Sequence, residues 1–309
     1  MAGDFDRVAF TGDVESRTFN ALWCGHHTLA GMSPMITASM RLRGFVTASH
    51  ALPTVAVSSV MTVFAWNIGW RGAPLVLVGL AILVGQLSVG WSNDAFDASN
   101  DARAGRREKP TVAGVVSSRA LWGAAWAALL ASSSMSWIVA GFKGGSIHVF
   151  ALAMAWLYNV ALSRTVWSWL PYALAFGAMP AFLYVGLDGV TGPWWTVAAF
   201  ALVAVSGHLA NAMRDLESDR SHGVDGLVVR LGARRSTLLC WLLLGVATSI
   251  LVAVATANSA APWTAALLVV GFLIAVLFGS RSTRPSAMFL ALIGVALLDV
   301  AALTLSPVL

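Results

Sequence analysis

The chain has 309 residues, 58% of them hydrophobic and only 11% charged, with a mean hydropathy of +0.77. Soluble domains carry about one charged residue in four, so these proportions exclude an ordinary water-soluble enzyme. The net charge of +5 invites a nucleic-acid partner, but the placement of the basic residues excludes that as well.

Residues 1–44 come first and hold Asp4, Asp6, Asp13 and Glu15 with no apolar run, so no cleavable signal is expected there. They are read as a cytoplasmic arm with one amphipathic helix around 28–43, and residues 45–309 as a single membrane domain. Trp23, His26 and His27 lie in the arm, where adjacent histidines without carboxylate or thiol partners read as surface residues. Cys24 and Cys240 form no C-x-x-C pair, so neither a disulfide framework nor a zinc site is indicated.

A helix needs roughly 20 apolar residues to cross the hydrocarbon layer. Nine segments come near this: 47–69, 73–92, 120–141, 146–163, 169–187, 194–213, 237–257, 262–279 and 286–306. The fold class predicted is therefore all-α, a polytopic bundle of about nine transmembrane helices. Alternating the loops between the two sides puts seventeen of the 19 Arg and Lys residues on one side and only Arg71 and Lys143 on the other. That asymmetry predicts a cytoplasmic N-terminus and an extracytoplasmic C-terminus in a multi-pass cell-membrane protein.

The second and sixth segments end alike. Asn93, Asp97, Asp101 and Gly105 are spaced as Asn-x3-Asp-x3-Asp-x3-Gly, and 118 residues later Asn211, Asp215, Asp219 and Gly223 repeat the spacing. On a continuous helix Asp97, Asp101 and Asp94 fall about 40°, 80° and 100° from Asn93. The same arc is expected for Asn211, Asp215 and Asp219, with Glu217 on the far side and solvated. Acids in such rows repel one another by several tenths of a kcal/mol per pair. Pairing with neighbouring arginines suffices for one such motif but poorly explains two, with eight of the chain's 14 acids gathered in these loops. Oxygen-only ligation by Asp and Asn suits a hard cation such as Mg²⁺, which commonly bridges carboxylates to substrate phosphates. Both copies belong to one side, so the predicted site faces the cytoplasm, with Arg103, Arg106, Arg107, Lys109 and Arg214 near it for phosphate oxygens.

These residues resemble the UbiA superfamily of intramembrane prenyltransferases. The matching stretches are Asn93-Asp94-x2-Asp97-x3-Asp101 with Lys109-Pro110 and Gly114, then Arg214-Asp215-x3-Asp219-x3-Gly223 with Arg230-Leu231-Gly232. Tyr158-Asn159 and Arg164-Thr165 resemble the polar end of the family's fourth helix. The chain departs from the family at His50-Ala-Leu-Pro53, where members often carry Arg-Pro, and at Ser163-Arg164, where many carry Lys-Arg.

The resemblance implies Mg²⁺-dependent transfer of an isoprenyl group from an isoprenyl diphosphate to a small acceptor, an aromatic compound or quinone precursor. It implies two Mg²⁺ ions held by Asn93, Asp97, Asp101, Asp215 and Asp219, the four aspartates forming the catalytic set. Asp94, Lys109, Tyr158, Asn159, Arg164, Asn211 and Arg214 are then the substrate-binding candidates. A terpene cyclase on the same scaffold, a transferase to a phosphorylated sugar or glycerol phosphate, and a cation-coupled carrier are the alternatives.

Most of the 14 Trp residues are expected at membrane interfaces, with Trp167, Trp169, Trp194 and Trp195 near span ends. Asp299 is an intramembrane acid and so a functional candidate. His148 and His208 are expected to be structural.

Overall fold

The structure is a computed structural model that describes residues 37–221, 223–257 and 262–281, together with 290–291, 294–295 and 297–298. All regular structure among the described residues is helical. Residues 1–36, with Trp23, Cys24, His26 and His27, lie outside them, as do Asp299 and most of the ninth expected segment.

Helix α1 (Ala38–Ala48) leads into α2 (Ala51–Ile68) and α3 (Gly72–Arg103). Helix α4 (Ser118–Leu157) runs into a π-helical segment at Tyr158–Leu162 and is followed by α5 (Trp169–Asp188) and α6 (Trp194–Ala212). The short α7 (Leu216–Ser221) precedes α8 (Leu227–Ala257) and α9 (Pro262–Arg281). Among the described residues six helices are long and apolar enough to cross a membrane.

One of the six accounts for two expected spans. Ser118–Leu162 is 45 residues long, about 67 Å as a straight helix and twice the hydrocarbon thickness. It is not straight. Gly141 has φ 64° and ψ 179°, a conformation that glycine adopts without penalty. His148 Nδ1 then lies 2.6 Å from Ser136 Oγ, twelve residues back, which only a folded-back hairpin allows. The links between Ile68 and Gly72 and between Asp188 and Trp194 are likewise tight turns between helices.

Three predicted boundaries move. The first span, expected from residue 47, begins at Ala51, because His50 takes a left-handed conformation (φ 52°, ψ 57°) and breaks the helix. The arm helix expected around 28–43 is observed as Ala38–Ala48, where its residues are described. Helix α8 starts ten residues before the expected 237–257 and is interrupted at Gly232 (φ 73°).

The core has two main parts. Met61, Phe64, Ile82, Phe182 and Leu183 are buried where α2, α3 and α5 meet the α4 hairpin. Leu209, Cys240 and Leu244 fill a second cluster between α6 and α8. His148 stacks on Phe182 at 4.6 Å between ring centroids, a packing role as expected. The Trp residues expected near span ends differ in exposure. Trp194 is 72% exposed, whereas Trp195 is 9% exposed and packs with Ala199, Leu251 and Leu268.

Helix α3 matters most for the site. Its 32 residues span about 48 Å, well beyond a hydrocarbon layer of about 30 Å. The excess length carries the first acidic signature.

Candidate active site

The first signature stays helical through Asp101, so its acids share one face of α3 as the spacing predicts. Asp94 is 1% exposed. Its Oδ1 accepts a hydrogen bond from Lys109 Nζ at 2.6 Å and lies 3.0 Å from His50 Nε2. Lys109 arrives from the loop after α3, which Pro110 shapes by accepting the Val115 and Val116 amides. Ser118 Oγ closes that loop by donating to Ala95 O at 2.9 Å. A buried pair of this kind costs about 3–5 kcal/mol to break from one side.

One turn on, Asp97 is half-buried and pairs with Arg164 Nη2 at 3.2 Å. Asp101 is buried, with Oδ1 3.3 Å from Arg106 Nη1. Arg103 folds back onto Ser99 and Asn100 of its own helix. The second carboxylate oxygens of Asp94 and Asp101 are buried without any hydrogen-bond partner. An unsatisfied buried acceptor costs about 1–3 kcal/mol, so these two orphans in neighbouring acids need an explanation.

The π-helical segment brings the fourth span's polar end to the same place. Asn93 Nδ2 donates to Asn159 Oδ1 at 3.2 Å, and Asn159 Nδ2 donates to Val89 O and Ser92 Oγ, both at 2.9 Å. Tyr158 meets Tyr172 edge to face at 5.0 Å and His208 at 5.5 Å. His208 stacks on Tyr172 at 4.5 Å and sits 2.9 Å from Ser168 Oγ.

The second signature departs from the predicted arc. Helix α6 ends at Ala212, Met213–Asp215 form a turn, and α7 begins at Leu216. Asp215 stands at the entry to α7, with Glu217 and Asp219 in the first turn. Acids are favoured at a helix N-terminus by the macrodipole and the free amides, so this sequence starts a new helix instead of continuing the old one. The Asp219 amide donates to Asp215 O at 2.8 Å, which keeps the two acids one turn apart. Asn211, Asp215 and Arg214 are exposed. Glu217 pairs only loosely with Arg220, at 3.9 Å, as a solvated residue should. Arg230 forks onto Asp225.

The structure therefore ties Asn93 to Asn159, Asp94 to Lys109 and Asp97 to Arg164, with Asp101 on Arg106, a network of separate contacts along the end of α3. Among the described residues no ion pair connects that network to Asn211 or Arg214. Three participants escaped sequence reasoning: Arg106 as the specific partner of Asp101, His50 on Asp94, and Tyr172 behind Tyr158. Of these only Arg106, in the basic run after the signature, carried a usable signal.

The donor chemistry fits a hard cation. All candidate ligands are carboxylate or amide oxygens, and the buried orphan oxygens of Asp94 and Asp101 are atoms a cation would satisfy. Among the described residues no three His, Cys, Asp or Glu side chains gather closely enough to hold an ion unaided. Any ion would complete its shell from water or substrate, as Mg²⁺ commonly does.

Known proteins place the chain. The bacteriochlorophyll synthase 33 kDa chain of Cereibacter sphaeroides is 32% identical over 183 residues, covering 53% of this chain and 57% of that protein. The digeranylgeranylglyceryl phosphate synthase of Methanoregula boonei is 27% identical over 212 residues, covering 65% and 73%. A UbiA homologue from Archaeoglobus fulgidus, solved with DMAPP and Mg²⁺, shares the fold at a TM-score of 0.68 and 16% identity over 84% of this chain and 98% of its own. A homologue from Aeropyrum pernix superposes at 0.64 with 18% identity over 80% of this chain and 96% of its own. Residues 51–294 match the UbiA prenyltransferase family as a whole, and the chain belongs to that family.

Proposed function

We propose that this chain is a Mg²⁺-dependent intramembrane prenyltransferase. It would transfer the isoprenyl group of an isoprenyl diphosphate to a small acceptor, an aromatic compound or quinone precursor, with residues 45–309 as the catalytic unit and residues 1–44 as a cytoplasmic arm. The observation that carries this reading is the pair of buried, unpartnered carboxylate oxygens of Asp94 and Asp101, with the Lys109 ammonium on Asp94. Buried acids with free oxygens suit a polyanion only if cations lie between them. The DMAPP and Mg²⁺ bound by the Archaeoglobus homologue support both parts, and GPP with Mg²⁺ in the same homologue supports the substrate class.

Asn93, Asp97, Asp101, Asp215 and Asp219 would hold two Mg²⁺ ions, which supply charge neutralisation for a departing diphosphate. Asp94 holds Lys109 at the cluster, and Arg164 stands beside Asp97, so both cations can reach diphosphate oxygens. Asn159 fixes Asn93 in its rotamer. Tyr158, held edge to face against Tyr172, would offer its electron-rich ring to an allylic cation. The excess of Arg and Lys at the signature end supports a cytoplasmic site, with the N-terminus on that side.

The test is pyrophosphate release from a panel of isoprenyl diphosphates by protein in lipid nanodiscs, with and without Mg²⁺ and acceptor. Release that needs both supports the transferase. Cyclic hydrocarbon formed without acceptor would establish a cyclase instead, and movement of substrate across liposomes without pyrophosphate release would establish a carrier.

A further inference from the structure

We propose that His50 is a positioning residue for Lys109, fixing the ammonium by gripping the same oxygen of Asp94. The consequence for catalysis rests on the diphosphate reading above; the geometric claim stands apart from it.

The backbone gives the first reason. Among the described residues His50 is the one non-glycine residue with a positive φ. That region disfavours any side chain with a Cβ, and glycine would enter it freely. Strain of this kind persists where the surroundings over-determine it, typically at functional positions. Here they do. Thr54 Oγ1 donates to Ser49 O at 2.7 Å, Ser49 Oγ donates to Val46 O at 2.7 Å, and the His50 amide donates to Thr47 O at 3.2 Å. Trp91 Nε1 of α3 donates to Phe45 O at 2.9 Å. The turn also presses backbone to backbone on α3, since a Cβ on Gly90 would lie 2.5 Å from Ser49 O. Both helices are shaped to bring residue 50 to α3.

The side chain gives the second reason. His50 Nε2 reaches Asp94 Oδ1, an oxygen that already accepts from Lys109 Nζ. Asp94 is thereby held by donors from two separate segments, the α1–α2 turn and the loop after α3. A lysine stem has four rotatable carbons, so its head is located only as well as its acceptor is. With Oδ1 fixed from both segments, the ammonium has one place to stand. A glycine at position 50 would relax the backbone and abandon that grip.

The experiment compares the full-length protein with His50→Gly and His50→Gln. Lys109 and Lys143 are the only lysines in the chain, so their rates of reductive methylation with ¹³C-formaldehyde can be read separately by NMR. The expected result for His50→Gly is a thermal midpoint at or above that of the wild type. Lys109 should then react measurably faster than in the wild type while Lys143 is unchanged, and kcat/KM for the isoprenyl diphosphate should fall about 10- to 100-fold, with acceptor KM unchanged. The glutamine amide reaches as far as Nε2, so His50→Gln should restore Lys109 protection and most of the lost rate. If Lys109 remains as protected in His50→Gly as in the wild type, the proposal is overturned whatever the activity. If the wild type releases no pyrophosphate, the transferase reading fails while Lys109 reactivity still decides the role of His50.

Discussion

Asn159 makes all three of its side-chain hydrogen bonds to one stretch of α3, and the bond from Asn93 at 3.2 Å ties it directly to the first acidic signature. The π-helical segment is thereby keyed to α3 at the point where the apolar helix turns acidic. Asn159→Ala should lower stability by about 1–2 kcal/mol, the value of buried polar contacts between membrane helices. The same change should reduce turnover, because Asn93 loses its partner. An unaltered thermal midpoint in detergent would show that the keying is weaker than its geometry suggests.

Asp97 and Asp94 sit one turn apart and should fail differently. Asp97→Ala removes a half-exposed acid, so stability should change by no more than about 0.5 kcal/mol. Pyrophosphate release should fall about 10²- to 10³-fold, the scale of losing one electrostatic contact to the reacting group. Asp215→Ala should behave in the same way. Asp94→Ala strips the buried partner from Lys109 and should cost about 3–5 kcal/mol of stability as well. Full activity in Asp97→Ala would remove the metal assignment.

Arg164 is half-exposed in its pair with Asp97, so the pair itself is worth at most about 1 kcal/mol. Arg164→Gln should leave the thermal midpoint nearly unchanged. It should raise KM for the isoprenyl diphosphate about tenfold, equivalent to losing one charged hydrogen bond of ~1.5 kcal/mol. Steady-state kinetics at two ionic strengths would check this, since the difference between wild type and variant should narrow as salt rises.

Gly90 and Gly123 make a matched pair. A side chain at Gly90 meets the Ser49 backbone, whereas one at Gly123 meets nothing within 4 Å. Gly90→Ala should destabilise by about 1–3 kcal/mol through overpacking and should unseat the His50 turn. Gly123→Ala, inside α4, should stabilise by about 0.5–1 kcal/mol. Equal midpoints for the two variants would contradict the close approach at Gly90.

Much of this was legible in the residues. The apolar segments located the helices because a bilayer demands length and hydrophobicity, and little else, of a span. The first signature read correctly on a helical wheel because α3 continues unbroken past Asp101. The second did not, because the same spacing at Asp215 and Asp219 is also a good helix start, and spacing alone cannot tell continuation from restart. The turn at Gly141 was anticipated, because the expected spans 120–141 and 146–163 part there. The bond from His50 to Asp94 was not, since it joins residues 44 apart through a backbone conformation that no propensity favours. Tyr172 gave no signal either, for its place behind Tyr158 depends on how α5 packs against the π-helical segment.

The overhang of α3 beyond a hydrocarbon layer has a consequence for how the substrate would meet the protein. An isoprenyl diphosphate is itself a surfactant, with its tail among the acyl chains and its anionic head at the water boundary. On the proposed reading, an acidic signature carried on the overhang would lie at the depth where such a head rests. Capture then needs only sideways diffusion in the leaflet, with no change of depth and no burial of a naked anion. The entropy of the search falls from three dimensions to two, and the acceptor, not the isoprenoid, becomes the partner whose route of entry selects the chemistry.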